Sequence, residues 1–440
     1  MMLCRLRSNA LLIFVSMAAG CSSGSVGPSS TGSPSAVEAD NATSPTASVA
    51  APTSPLTMEH WRRKMSRIAP PKDGCFELSY PATTWQEVPC TTAPAVPFVP
   101  AKGPGGDNVG NGTDFASGVD GVISFAEGSF PSVTGVTSET GDAGANSFTL
   151  QLNSNPFWGT ALCSGSGTPD FCQGWQQFVY SSAGCTGERP CIFMQYWILN
   201  YSNPCPSGWN TYGNDCWENS TSAGAAPAVP ATSLANVALG ASAGSSDYVT
   251  LSTGSGTLYT LSQASVLGLN LDWALAEFNI FGNCCSAEAY FNNGVSIVVQ
   301  TLTDSVTPTT NAPYCASSGY TGETNNLNLV SGSCCPFGGF SQGIQFTESN
   351  VSGATPQPCP PPSSCGTDID PYILTGSPIQ KLVTSSYAYL WACFNVNNDC
   401  ECGAFDAQVA VGSTTYYSWV PAYRMPSACP ANPACTVSQL

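Results

Sequence analysis

Apolar positions along this chain recur with a period of two far more often than with the 3.6 of a helix. Residues 147–152 read SFTLQL, 175–180 WQQFVY, 248–251 YVTL, 274–281 ALAEFNIF and 295–302 VSIVVQTL. Each run is bounded by Gly, Asn, Ser or Pro, which predicts strands closed by turns. The run 192–201, IFMQYWILNY, is apolar on both faces and so predicts a central strand of a thick sandwich. Gln195 then points into an apolar face and needs a partner. Residues 234–239 fit a strand or a short helix, and further strand runs lie at 387–394 and 414–420. With 43 glycines and 35 prolines recurring every few residues, few windows hold a helical apolar period for three turns. The pattern predicts an all-β fold, an antiparallel sandwich.

The ends of the chain do not follow this pattern. Residues 1–20 carry Arg5 and Arg7, a short apolar run over 10–19, and a small-residue ending before Cys21. That run is too short to anchor a chain across a bilayer, so 1–20 reads as a signal peptide. It resembles a bacterial lipoprotein signal, which implies lipidation at Cys21. An ordinary secretory signal cleaved nearby is the alternative. Residues 21–67 are expected to be a disordered tether, since Ser, Gly, Pro, Thr and Ala cannot build a core. Its basic end, HWRRKMSR over 60–67, reads as a membrane-proximal helix or part of a propeptide. The remainder divides into a lead segment (68–105), a β-sandwich domain (106–305) and a Cys-rich C-terminal part (306–440). That last part either adds strands to the main sheet or forms a small domain, and the Pro-rich stretch 355–362 reads as a rigid connector. The expected location is outside the cell: a cell-surface or outer-membrane lipoprotein, otherwise a secreted protein.

Charge and cysteine content narrow the chemistry. Apolar residues make up 42% of the chain and charged residues only 9%. From residue 73 onward there are four basic and 25 acidic side chains, a net −21. Phosphate binding needs Lys and Arg, so nucleic acid is excluded as an expected partner. With few ion pairs to lose, the fold is expected to tolerate acid, although a generic acidic surface reads the same way. Beyond Cys4 and Cys21, 20 cysteines remain, enough for up to ten disulfides in an oxidising compartment. None has zinc-knuckle spacing with a nearby histidine, so no metal and no cofactor is expected. His60 is the sole histidine, which argues against a Ser-His-Asp triad or a Cys-His pair within the fold.

Carboxylate and amide chemistry remains. Glu277 stands in an otherwise apolar strand, where a buried carboxyl acquires a raised pKa and needs a reason to be there. Strand alternation puts it on a face with Trp273, Leu275, Asn279 and Phe281, and puts Gln177 on a face with Trp175 and Val179. Gln177 is preferred to Gln176 on strand phase alone. Glu277 and Gln177 are the candidate catalytic pair, on a sheet face floored by aromatics.

Gln177 is followed by the aromatic run 194–201 (MQYWILNY), then Ala276-Glu277-Phe278, then 291–298 (FNNGVSIV). This order of elements resembles the glutamic peptidases, or eqolisins. The similarity covers residues 147–303. The Thr-Gly after the family's Gln and the Glu after its aromatic strand are absent here. The resemblance implies a concanavalin-A-like sandwich, here with a Cys-rich C-terminal extension, and an acid-acting peptidase. It implies that Glu277 activates a water, that Gln177 orients the water and stabilises the oxyanion, and that Trp175 and Trp197, with Gln195 beside them, line the substrate cleft. The expected ligand is then a polypeptide. The competing expectation is a non-catalytic lectin-like or adhesive surface protein, in which Gln177, Gln195 and Glu277 serve hydrogen bonding within the sheet and stapled loops such as 209–212 and 217–219 bind a glycan. Glu288 is a second candidate carboxylate, expected in a loop.

Overall fold

The computed structural model describes residues 55–101, 109, 114–185, 189–306, 313–337 and 342–359. It gives the backbone alone of four more strands, Tyr372–Leu374, Leu390–Val396, Asp399–Val411 and Thr414–Met425, which form an antiparallel sheet of their own. The signal peptide, Cys21 and most of the expected tether lie outside the described residues.

Two large antiparallel sheets make up the sandwich. One runs in the order Gln86–Val88, Gly74–Ser79, Thr257–Ala264, Ser246–Ser252, Ala238–Ser242, Ile123–Thr134, Ser296–Ser305, Gly343–Ser349, Asn328–Leu329. The other runs Asn210–Tyr212, Asp215–Asn219, Arg189–Leu199, Gln173–Cys185, Phe148–Ser154, Leu275–Gly282, Phe115–Gly118, Tyr314–Ser317. The fold is therefore all-β, as the alternation predicted, and each of the six runs read between 147 and 302 overlaps one strand. Residues 234–239 divide between a short 3-10 turn, Ala231–Asn236, and the strand Ala238–Ser242.

The inner faces meet through aromatic side chains. Phe278 packs on Phe130 with ring centroids 5.1 Å apart, and Phe178 stacks on Trp273 at 5.6 Å. Gly128 makes this contact possible: a Cβ there would come within 2.3 Å of the Phe278 ring. Buried polar pairs also bridge the layers: Gln176 Nε2 donates to Asp247 Oδ2 at 3.1 Å, and the Ser117 and Thr303 hydroxyls lie 3.3 Å apart. Trp273 was expected on the face of Glu277. It lies instead on the core side, because its strand begins only at Leu275 and the alternation does not extend back to it.

Segments on both sides of residues 106–305 belong to the same sheets. The strand Gly74–Ser79 pairs with Thr257–Ala264, Tyr314–Ser317 pairs with Phe115–Gly118, and Gly343–Ser349 pairs with Ser296–Ser305. The expected boundaries at 105/106 and 305/306 thus fall inside one strand order. The expected tether also ends early, since Pro55–Ser66 is a helix packed on the sandwich. The sequence contains the reason: Arg62 donates to both oxygens of the buried Glu127 at 2.8 and 2.9 Å, and Arg67 pairs with Asp304 at 2.7 Å. The basic stretch serves intramolecular carboxylates.

Six disulfides join described cysteines: 75–90, 163–172, 185–191, 205–216, 315–334 and 335–359. They mark an extracellular-type protein. Cys284 and Cys285 are not bridged to any of these, and their Sγ atoms lie 2.7 Å apart. Among the described residues no helix is long and apolar enough to cross a membrane.

Candidate active site

Antiparallel register places one polar row across five adjacent strands. Glu277 stands opposite Asn153, Asn153 opposite Gln177, Gln177 opposite Gln195, and Gln195 opposite Asn219. A parallel row of tryptophans, Trp175 opposite Trp197 and Trp197 opposite Trp217, lies two residues along. The rows occupy the face turned away from the other sheet. Gln177 and Glu277 therefore share a face, two strand spacings or ~10 Å apart along the row. Gln176 points the other way, to Asp247, which leaves Gln177 as the glutamine on this face.

The side chains in the row hold one another. Asn153 Nδ2 donates to Glu277 Oε2 at 2.8 Å. Gln177 Nε2 donates to Gln151 Oε1 at 3.0 Å, and Asn153 Nδ2 also reaches that oxygen at 3.4 Å. The Trp197 indole N–H donates to both Gln177 Oε1 (3.2 Å) and Gln195 Oε1 (3.0 Å), which fixes both amides. Trp175 donates its indole N–H to the Ser154 carbonyl and packs against Trp197 at 6.1 Å.

This face is roofed. Residues 94–101 run across Gln195 and the tryptophans, and residues 320–323 cover Glu277. The Tyr320 N–H donates to Glu277 Oε1 at 3.1 Å. Glu277, Gln177, Gln195, Trp175 and Trp197 are each 0% exposed.

Burial dominates the electrostatics. It pushes the Glu277 carboxyl well above the usual glutamate range, and the charge of Asp114 pushes it further. The hydrogen bonds from Asn153 and Tyr320 oppose the shift without cancelling it. Burial also raises Asp114 to about 7, Glu323 to about 7 and Glu348 to about 8. Asn279 Nδ2 donates to Asp114 Oδ2 at 3.0 Å and to Glu348 Oε2 at 3.1 Å, so an amide proton donor stands between these two carboxyls. Among the described residues, no group of three or more His, Cys, Asp or Glu side chains is arranged to hold a metal ion.

The structure brings together all five residues singled out in the sequence as catalytic or cleft-lining. It leaves out Glu288, which lies in a separate small sheet with Glu139–Gly141 rather than in a loop. Sequence reading missed Asn153 and Gln151, which join the two candidates. Their signal was present in the alternation Thr149, Gln151, Asn153 against Leu150 and Leu152, a pattern that equally describes a solvent-facing polar edge.

No known family profile matches the chain, and neither does any curated protein. Among solved structures, the chain is similar to that of SCP-B, a member of the eqolisin family of peptidases, in a complex with the tripeptide Ala-Ile-His. The two are 12% identical over 54% of this chain and 98% of that one, with a TM-score of 0.25. At that score the likeness carries no functional weight.

Proposed function

We propose that the protein is an acid-acting, glutamic-peptidase-like hydrolase in which Glu277 and Gln177 form the reacting pair, exported and tethered through a lipid on Cys21. The observation that carries the reaction is the cross-strand row: a carboxyl and a fixed amide on one face, beside a wall of tryptophans. Glu277 as carboxylate takes a proton from a water attacking a peptide carbonyl. Gln177, its amide oxygen held by Trp197 and one N–H by Gln151, offers its second N–H to the oxyanion. Glu277 then returns the proton to the departing amine. Asn153 steers the Glu277 carboxyl. Beneath the roof Glu277 keeps its proton, because burial raises its pKa. The carboxylate form belongs to an opened, hydrated cleft.

The test is cleavage of a denatured protein substrate at pH 2 to 5. It compares the native chain, Glu277→Gln and Gln177→Ala, each also in a background where the roof is weakened by Phe98→Ala/Val99→Ala. Either active-site substitution is expected to lower the rate by about 100-fold or more. Cleavage unchanged by both substitutions, or absent in both backgrounds, would refute the hydrolase. A second reading, a lectin-like or adhesive binder, draws on a cavity of about 250 Å³ at the rim, lined by Trp217, Asn210, Glu218, Asn219 and Thr221. An aromatic wall with amide and carboxylate partners suits a sugar ring. Glycan binding that survives Glu277→Gln, with no proteolysis, would favour it.

A further inference from the structure

The roof over the tryptophan row is a piece of extended chain held as a bound peptide is held. Gln195 clasps its backbone at two points, donating from Nε2 to the Val96 carbonyl (3.1 Å) and accepting the Phe98 N–H at Oε1 (2.7 Å). One amide side chain thus reads a carbonyl and an N–H two residues apart, as the edge of a strand would. Asn219 donates to the Pro94 carbonyl, and the Cys285 N–H donates to the Pro97 carbonyl at 3.2 Å. The Val99 N–H donates to Glu323 Oε1 at 3.0 Å, and the Val99 carbonyl accepts the Gly322 N–H at 2.7 Å.

Each of these bonds uses the segment's main chain. Its side chains supply apolar contact alone. Val99 sits in a cluster with Trp175, Trp197 and Trp217, and Phe98 packs on Phe193 at 5.5 Å. Pro94, Pro97 and Pro100 have no N–H to satisfy, so proline is accommodated between the clasped positions. Neither large sheet includes the segment, and a single isolated bridge, Pro100 to Thr321, is its only strand-like pairing.

We propose that this cleft is a receptor for an extended, uncharged, proline-bearing polypeptide, and that residues 94–99 are its intramolecular occupant. The inference deepens the hydrolase reading and rests on it for the identity of the cleft. It adds the ligand class, main-chain-clasped polypeptide with adjacent apolar residues, and adds that an external ligand must displace a resident one. When the competent state is only partly populated, apparent affinity falls by that fraction. Weakening the resident segment therefore tightens binding of the external one.

The probe is the labelled synthetic peptide Ala-Pro-Ala-Val-Pro-Phe-Val-Pro, read by fluorescence anisotropy. Phe98→Ala/Val99→Ala empties the two apolar seats and leaves Gln195 in place. Both this double variant and the native chain carry Glu277→Gln, so that binding is read without turnover. The double variant is expected to bind the peptide at least about 10-fold more tightly than the native chain. A control peptide with Asp at the Phe and Val positions is expected not to bind. Equal binding by the two proteins, or none by a double variant whose sheet amides remain protected from exchange, would overturn the proposal. Hydrogen exchange in the unsubstituted chain is a second readout that needs no variant. The Phe98 and Val99 amides are expected to exchange faster than those of Met194 and Tyr196, through local opening. Equal protection would make the segment part of the global fold and overturn the proposal. Peptide that binds but is never cleaved by the Glu277-containing protein leaves the receptor standing and removes the hydrolase.

Discussion

Glu323 links the roof to the pH response of the whole fold. Its Oε1 accepts the N–H groups of Val99 (3.0 Å) and Ser286 (3.1 Å), and its Oε2 accepts the Thr321 hydroxyl. It is 0% exposed, and burial raises its pKa from about 4.5 to about 7 against the pull of those hydrogen bonds. The folded state thus keeps a proton that the unfolded chain releases near pH 4.5. This contribution to stability is complete below pH 4.5 and is lost as pH rises to about 7. At about 1.4 kcal/mol per pH unit, the loss amounts to on the order of 3 kcal/mol. Glu323→Gln keeps an oxygen for Val99 and Ser286, and its new NH2 faces Thr321, whose hydroxyl can turn to accept. Urea unfolding with disulfides intact, at pH 4 and pH 8, measures the difference. The variant is expected to match the wild type at pH 4 and to retain about 3 kcal/mol more of its stability between pH 4 and pH 8. Parallel pH dependence of the two proteins would refute the reasoning, because it would mean that Glu323 titrates alike folded and unfolded.

Asp114, Glu277 and Glu348 shift in the same direction, so wild-type stability is expected to fall from pH 4 to pH 8 by more than Glu323 alone contributes, readable in the same titration. Glu127 behaves in the opposite sense. Burial alone would raise it, but the Arg62 guanidinium outweighs burial and holds the carboxyl down at about 2, so this stability is present above the ordinary glutamate range and is lost as pH falls toward 2. Arg62→Gln strands a buried carboxylate and is expected to cost about 3–5 kcal/mol at pH 7, and less at pH 3 where Glu127 takes up a proton, as read by urea midpoints. Gly128→Ala drives a methyl into the Phe278 ring, and a loss of about 3 kcal/mol is expected by chemical denaturation. A loss under about 0.5 kcal/mol would show that the two sheets can part there without strain.

Strands and faces were legible in the chain because alternation is local. WQQFVY fixes the parity of Gln177 without knowledge of its neighbours, and ALAEFNIF does the same for Glu277. Register is not local. That Asn153 stands between them depends on how three strands far apart in sequence slide past one another, and nothing within SFTLQLNS specifies that. The roof was illegible for a related reason. Residues 94–101 carry no period, and their partners Gln195, Asn219 and Glu323 lie roughly 100 to 225 positions away in sequence. The Arg62 to Glu127 pair shows a third limit: a basic cluster next to a Ser-, Gly- and Pro-rich stretch reads as a surface feature until the fold supplies its carboxylate.

The disulfide pairing bears on how the molecule is made. In each of the six bridges the partner is the next cysteine along the chain, with separations of 6 to 24 residues. For the four bridges between Cys75 and Cys216, a polypeptide emerging N-terminus first meets each partner before any later cysteine appears. Oxidation in order of synthesis therefore yields these four bridges without reshuffling, and a simple thiol oxidase is enough for them where an interleaved set would call for an isomerase. Cys284 and Cys285, the next two cysteines along the chain, stand side by side outside these bridges.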